Sequence, residues 1–332
     1  MTSLTLTGSL GRLAAATADW VTTPRVSVLI FHRVLPAPDP LFPGEICADH
    51  FNRLLGVLAR AFNVLSLGRA HALMQQRALP PRALVITFDD GYADNATVAL
   101  PLLQRHGLSA TFFIATGFLD GGRMWNDSVI ECIRGCTLPQ LDLSSFGLGL
   151  SALDSPAARR QAIDAVLPRI KYLDLAAREQ ALARLHELCG SPALPDDLMM
   201  TSAQVLQLHR AGMEIGGHTV MHPILTALND ADAGQEVATG RARLQQLTGA
   251  PVDVFAYPNG KPGRDYAARD VALAREAGFR CAVSTSPGVV GEGSDPLQWP
   301  RFTPWDRSLP AFTARLLLAR YRSGSGALAA PV

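Results

Sequence analysis

The sequence predicts an α/β protein built on a parallel sheet, open or closed into a barrel, with a largely helical insertion in one loop. Three observations predict it. Short β-branched apolar runs alternate with segments whose apolar residues recur at helical spacing, which is the pattern of successive βα units. That rhythm stops near residue 121 and resumes after residue 195. The composition, 48% hydrophobic and 18% charged over 332 residues, supplies a core for one large α/β domain or two small ones. The formal net charge of +1 argues against bulk nucleic-acid binding and against a polybasic membrane surface.

Val26–Phe31 is the first apolar, β-branched run and reads as a central strand ending in His32-Arg33. Pro36, Pro38, Pro40 and Pro43 then force an irregular loop. Asp49 is expected to cap a helix that presents Phe51, Leu54, Leu55 and Leu58 on one face. A strand over 62–65 and a helix over 68–76 lead to a second buried run, Ala83–Phe88. A helix over 93–106 and a strand over 110–115 follow. Within 121–195, residues 157–170 and 175–189 read as amphipathic helices beside a turn-rich stretch at Gly147 and Gly149. Such an insertion either carries function or shields a sheet edge.

After it, Thr201 caps a helix to Ala211, and strands over 213–215, 252–256 and 279–283 alternate with helices over 233–247 and 266–277. A last helix spans 310–321. The expected organisation is an N-terminal extension over 1–25, a catalytic domain over 26–322 and a disordered tail over 323–332, rich in Gly, Ser and Ala. Residues 1–20 lack the basic start and compact apolar stretch of a secretion signal, and no segment is long enough to span a bilayer. The cytoplasm is the expected location. Cys47, Cys132, Cys136, Cys189 and Cys281 have no regular spacing, so they read as reduced core thiols.

Three segments carry chemistry. The first is Thr87-Phe88-Asp89-Asp90-Gly91-Tyr92, in which two carboxylates end a buried strand. Strand geometry sends them to opposite faces, so they take different partners. Buried acids there need a metal, a cation or a proton; otherwise the segment is an Asp-Gly turn. The second is Gly216-Gly217-His218-Thr219-Val220-Met221-His222-Pro223. Its histidines can meet one metal if the segment turns helically, while Pro223 makes a tight loop equally compatible. Two imidazoles and a carboxylate leave open positions, as a hydrolytic zinc site needs. The third is Phe255-Ala256-Tyr257-Pro258-Asn259-Gly260. An extended Tyr257 before proline is expected to leave its N–H free for a substrate oxyanion.

Taken in order, Thr-Phe-Asp-Asp-Gly, His-Thr-x-x-His-Pro and Tyr-Pro-x-Gly resemble the polysaccharide deacetylases, carbohydrate esterase family 4. Phe31-His32-Arg33-Val34 also resembles the N-terminal histidine segment of exopolysaccharide N-deacetylases. The resemblance covers about residues 26–301 apart from the insertion. It implies a distorted (β/α)7-type barrel with a helical insertion. It also implies a zinc ion, or another divalent transition metal, on Asp90, His218 and His222, with Asp89 as general base. The Tyr257 backbone would hold the oxyanion, and Pro258, Asn259 and Gly260 would line the substrate site.

The chain departs from the family in two places. Many members carry a base-orienting arginine in the third motif, but Pro251-Val252-Asp253-Val254 has none, which leaves Arg301 as the candidate. Many members also end in a Leu-x-x-His motif that supplies the general acid, yet no histidine follows His222. His32 is the replacement expected if barrel closure brings the first strand beside the last. Trp125 and Asp127 combine an aromatic platform with a polar group for sugar binding, although Trp125 serves equally well as an anchor for the insertion.

The leading expectation is removal of an N-acetyl group from an acetamido sugar. The alternatives are an amide or imide hydrolase on a small non-sugar substrate and a catalytically silent carbohydrate-binding protein. The partner is then the sugar substrate rather than nucleic acid, with peripheral membrane association if that sugar is lipid-linked.

Overall fold

Val26–Phe31 (β1) and Ala83–Phe88 pair in parallel along their whole length, Val26 opposite Ala83 and Phe31 opposite Phe88. Every residue of both runs is buried, as strands covered on both faces must be. The structure, a computed structural model, describes residues 24–304 and 308–322. Most of the expected N-terminal extension and all of the expected tail lie outside the described residues.

The chain divides into two compact units, one of residues up to 37, 46–119 and 200 onward, the other of 38–45 and 120–199. In the first unit the strands after β1 are β2 (Asn63–Leu65), β3 (Ala83–Phe88), β4 (Thr111–Ile114), β5 (Glu214–Gly217), β6 (Val254–Ala256), β7 (Cys281–Pro287) and β8 (Trp299–Arg301). The sheet runs β1-β3-β4-β5-β6-β7-β8 with every pair parallel, and β2 pairs with the first half of β3.

The two ends of this path meet. Phe302 forms a parallel bridge with Leu29, donating its N–H to Val28 O at 2.7 Å and accepting from Ile30 N–H at 3.2 Å. The result is a nearly closed, distorted α/β barrel.

Alternation along the strands sorts side chains into two apolar layers. Val26, Val28, Ala83, Val85, Val254, Ala256, Cys281, Val283 and Trp299 share one cluster. Leu29, Phe31, Leu84, Ile86, Phe88, Phe112, Phe255 and Ala282 belong to another, together with helical residues such as Phe51, Leu54 and Leu58. The period of two thus fixes an inner and an outer face before any polar residue is considered.

The second unit has its own core. Helices Trp125–Gly135, Pro156–Ile170 and Leu175–Leu188 pack through Val129, Ile133, Ile163, Val166 and Leu185. An antiparallel ribbon pairs Gln140–Asp142 with Leu150–Ala152. Cys132, Cys136 and Cys189 are buried in this core, and all five cysteines are free thiols.

Several local expectations are corrected. Asp49 lies in the first turn of helix Ala48–Ala61, whose N-cap is Cys47. The helix expected over 93–106 is present over 93–105, but with a π-helical turn, Asn95–Ala99, between its first residues and the α-helical Leu100–Arg105. Helix Trp125–Gly135, the ribbon and β8 were not anticipated; the ribbon strands and β8 are only three residues each. Thr201 does cap helix Ser202–Arg210, through a capping box with Gln204. No helix among the described residues is long and apolar enough to cross a membrane.

Candidate active site

Ala83 and Val85 face the inner layer, so the period of two carries Thr87 and then Asp89 to the same side. The same rule carries Arg301 inward, two residues after Trp299. The two side chains meet as a bidentate pair. Arg301 donates from both terminal nitrogens to the two oxygens of Asp89, each at 2.7 Å, across 212 residues of sequence. Its Nε donates to Ser284 O at 2.8 Å and its remaining contact is Thr87 Oγ1 at 3.2 Å. Arg301 is 1% exposed and Asp89 3%, so the pair is shielded from water and is held by planar complementarity.

Asp90 turns the other way. Its φ is +77°, a left-handed conformation that costs free energy in a non-glycine residue. Gly91 continues the turn at +90°, and a Cβ there would stand 3.2 Å from the Ile114 side chain. Across from it, the loop after β5 also takes left-handed turns, at Thr219 (+65°) and His222 (+50°). This is the tight-loop arrangement rather than a helix. Thr219 Oγ1 accepts from His222 N–H at 3.1 Å and donates to His218 O, which locks the turn. Glu236 caps it from outside, accepting from the N–H groups of Val220 and Met221 at 2.9 and 2.8 Å.

The two imidazoles converge on one oxygen. His218 Nε2 lies 3.3 Å and His222 Nε2 3.4 Å from Asp90 Oδ1. That buried oxygen has no hydrogen bond among the described residues. Ligands bound at about 2.0–2.1 Å to a tetrahedral cation stand about 3.4 Å apart, so each imidazole nitrogen stands from Asp90 Oδ1 at the spacing of two ligands on one ion. His218 Nδ1 is 2.7 Å from Ala256 O. A proton on Nδ1 turns the Nε2 lone pair toward Asp90, the usual orientation of a ligating histidine. The orphaned oxygen, the oriented imidazole and the donor set all fit a divalent transition metal.

Burial and charge divide the titrating groups. Burial alone would raise the pKa of Asp89, but the Arg301 charge and its hydrogen bonds hold it below the usual carboxylate range. Asp90 is also held low against the effect of burial, by His218 and by the fields of His222 and His32. Burial pushes His222 down to about 4, whereas for His218 the Asp90 contact and both aspartate charges overcome burial and raise it. A cation entering here displaces the proton that His218 would otherwise hold.

The other sequence-derived residues fall in several places. His32 follows β1, is exposed, and is near enough to act electrostatically on Asp89, Asp90 and His222. The expectation for Tyr257 needs correction, because its N–H donates to Val283 O at 3.3 Å in the ladder between β6 and β7. Its ring is buried and stacks on Tyr266 with centroids 3.9 Å apart. Pro258, Asn259 and Gly260 form a turn pinned by Thr285, whose N–H and Oγ1 reach Gly260 O and Asn259 O at 2.8 Å each. Trp125 and Asp127 belong to the second unit, where Trp125 packs on its core under the Arg178 guanidinium and Asp127 is buried.

Sequence reasoning missed Asp94, Asn95, Thr219, Glu236 and Ser284. Each makes at least one contact through a backbone group, its own or its partner's, and such a contact leaves no signature in sequence spacing. The Asp94-Asn95 pair next to the double aspartate was the one visible hint.

Comparisons with known proteins agree on a family. The model of the family described as polysaccharide deacetylase matches residues 76–136 and 176–282. The Bacillus subtilis (strain 168) protein YxkH, which bears that family's name, is 28% identical over 102 residues. That match spans 30% of this chain and 36% of the relative's length.

Among solved structures, the Streptococcus pyogenes deacetylase PplD in complex with acetate superposes with a TM-score of 0.60 at 16% identity, covering 89% of this chain and 99% of that one. IcaB from Ammonifex degensii gives 0.57 at 19%, covering 89% and 97%. A de-N-acetylase from Aggregatibacter actinomycetemcomitans gives 0.53 at 18%, covering 87% and 99%. At these identities the structural likeness is one of fold.

Proposed function

The chain belongs to the polysaccharide deacetylase family, and from that premise we propose that it hydrolyses the N-acetyl group of an acetamido sugar, in a polysaccharide, an oligosaccharide or a lipid-linked glycan. The products are acetate and a free amine. The reading draws support from structural neighbours whose names describe deacetylation and de-N-acetylation. The observation that carries it is the division of labour between adjacent aspartates. Asp89 is paired with a buried arginine, and Asp90 turns away to meet two imidazoles.

Asp90, His218 and His222 would hold zinc or another divalent transition cation. When bound, such a cation polarises a carbonyl and makes water more acidic. Asp89, kept ionised by Arg301, accepts the proton of the attacking water. Arg301 fixes both carboxylate oxygens and so sets the direction from which that proton is taken. His32 gives a proton to the sugar nitrogen as its bond to the acetyl carbon breaks. Pro258, Asn259 and Gly260, pinned by Thr285, form a rigid wall against which the sugar ring is held. The Tyr257 N–H can serve the oxyanion only by giving up its long bond to Val283 O.

The test is acetate release from a panel of acetamido oligosaccharides and lipid-linked acetamido sugars, with the protein stripped by chelator and then reloaded. Release is expected after reloading with a divalent transition metal and not before it. Full metal content without acetate from any member of the panel would overturn the reading.

A further inference from the structure

We propose that Asp94 and Asn95 clamp the chain segment that carries His32, which makes Asn95 a positioning residue for the proton donor. The inference rests on the reading of His32 given above and extends it to residues that none of the three sequence motifs includes.

The need for a clamp follows from where His32 sits. Phe31 O still accepts from Asp89 N–H at 2.9 Å, but His32 lies beyond the strand and is exposed at the start of a proline-rich loop. A side chain on such a segment keeps its direction only if the backbone beneath it is held. Three consecutive residues are held here. His32 O accepts from Asn95 Nδ2 at 2.9 Å, Arg33 Nε donates to Asp94 Oδ2 at 2.8 Å, and Val34 N–H donates to Asp94 Oδ1 at 3.1 Å. Asn95 Nδ2 also reaches Asp94 Oδ1 at 3.1 Å, so the two clamp residues brace each other. The Arg33 guanidinium lies over the Tyr92 ring, 4.8 Å from its centroid, which ties the same segment to the turn after Gly91.

Two further observations set this apart from ordinary loop packing. Asn95 is fully buried, and its Oδ1 has no hydrogen bond among the described residues. Burying an amide with one half unsatisfied costs stability. An apolar side chain would avoid that cost but could not donate to His32 O. The chain also opens a π-helical turn at this point, with Leu100 N–H bonded to Asn95 O. Such turns are unfavourable on average and concentrate at functional sites. The strand-end segment that presents Asp89 and Asp90 therefore continues directly into the residues that hold His32. One stretch of chain sets the relative positions of both proton-transferring groups.

The experiment is a double-mutant cycle on acetate release with Asn95→Ala, His32→Ala and the double variant, each assayed with measured metal content. Asn95→Ala is expected to lower kcat about 10-fold to 10²-fold, the scale of a displaced catalytic group, with KM and metal content unchanged. In the His32→Ala background it should cost nothing more, because a residue that acts through His32 has nothing left to position. Additive losses, or normal turnover in Asn95→Ala while His32→Ala is impaired, would overturn the clamp and leave the proton-donor reading intact. Normal turnover in His32→Ala would overturn both. If Asn95→Ala does not fold, Asp94→Asn supplies the same cycle. It keeps the side-chain volume and the acceptor for Val34 but loses the charge that holds Arg33.

Discussion

The Asp89 half of the site and the Asp90 half reach the same end of the barrel by different physical routes. Asp89 directly follows β3, on the inner face with Val85 and Thr87, and Arg301 ends β8, two residues after the buried Trp299 and past a register shift in its pairing with β7. Nothing in their backbone is strained, and the stabilisation comes from pairing two desolvated charges. Asp90 and His222 arrive on turns with left-handed φ values, and Thr219 between the histidines is left-handed as well. Here the backbone is strained and the donor atoms crowd, with one oxygen unsatisfied. The Asp89 half is therefore complete within the protein, while the Asp90 half is arranged for a group that the protein does not itself supply.

The largest test of that contrast separates the neighbours. Asp90→Asn should lose the metal and bring acetate release down to background. Asp89→Asn should keep the metal and lose roughly 10²-fold or more in kcat, the scale of general-base catalysis. Equal loss of metal from the two variants would erase the distinction.

Stability probes the same contrast next. Arg301→Met leaves the Asp89 carboxylate buried without its partner, and breaking such a pair destabilises by roughly 3–5 kcal/mol. Denaturant titration reads this directly, and a loss near zero would mean that the pair is solvated rather than buried. The pH dependence has a definite sign. Asp89 is held below its ordinary value, so its contribution is fully present above an unfolded pKa of about 3.9 and fades as pH falls through the folded value. Arg301→Met should flatten that acid limb relative to the parent protein.

His32→Ala tests the proposed proton donor, which belongs to neither half. Metal content should stay unchanged while kcat falls about 10²-fold. The smallest effect is expected from Thr219→Val, which removes the hydroxyl that joins His218 O to His222 N–H. A loss of roughly 1–2 kcal/mol in stability should come with weaker metal binding and an unaltered acid limb, because only the loop-held half is loosened.

Much of this was legible in the chain. Val26–Phe31 and Ala83–Phe88 were read as strands at their observed bounds, since a short β-branched run has few other ways to be buried. The double aspartate, the paired histidines and the Tyr-Pro turn mark strand ends because their chemistry is local. Sequence could not show that the helix over 93–105 carries a π turn at Asn95–Ala99, since that depends on what Asp94 and Asn95 reach. Nor could it show that Tyr257 N–H is engaged by Val283, a partner on the neighbouring strand.

By itself, then, the sequence determined the alternation of strands and helices and the identity of the polar groups at the strand ends. Tertiary structure alone decided which of those groups meet. Only closure of the sheet between Phe302 and Leu29 brings Arg301 to Asp89 across 212 residues, and only the turn at Asp90 separates its partners from those of its neighbour. The physical reason is range. Propensity and side-chain period act over a few residues, whereas hydrogen bonds and charges select partners by distance in space.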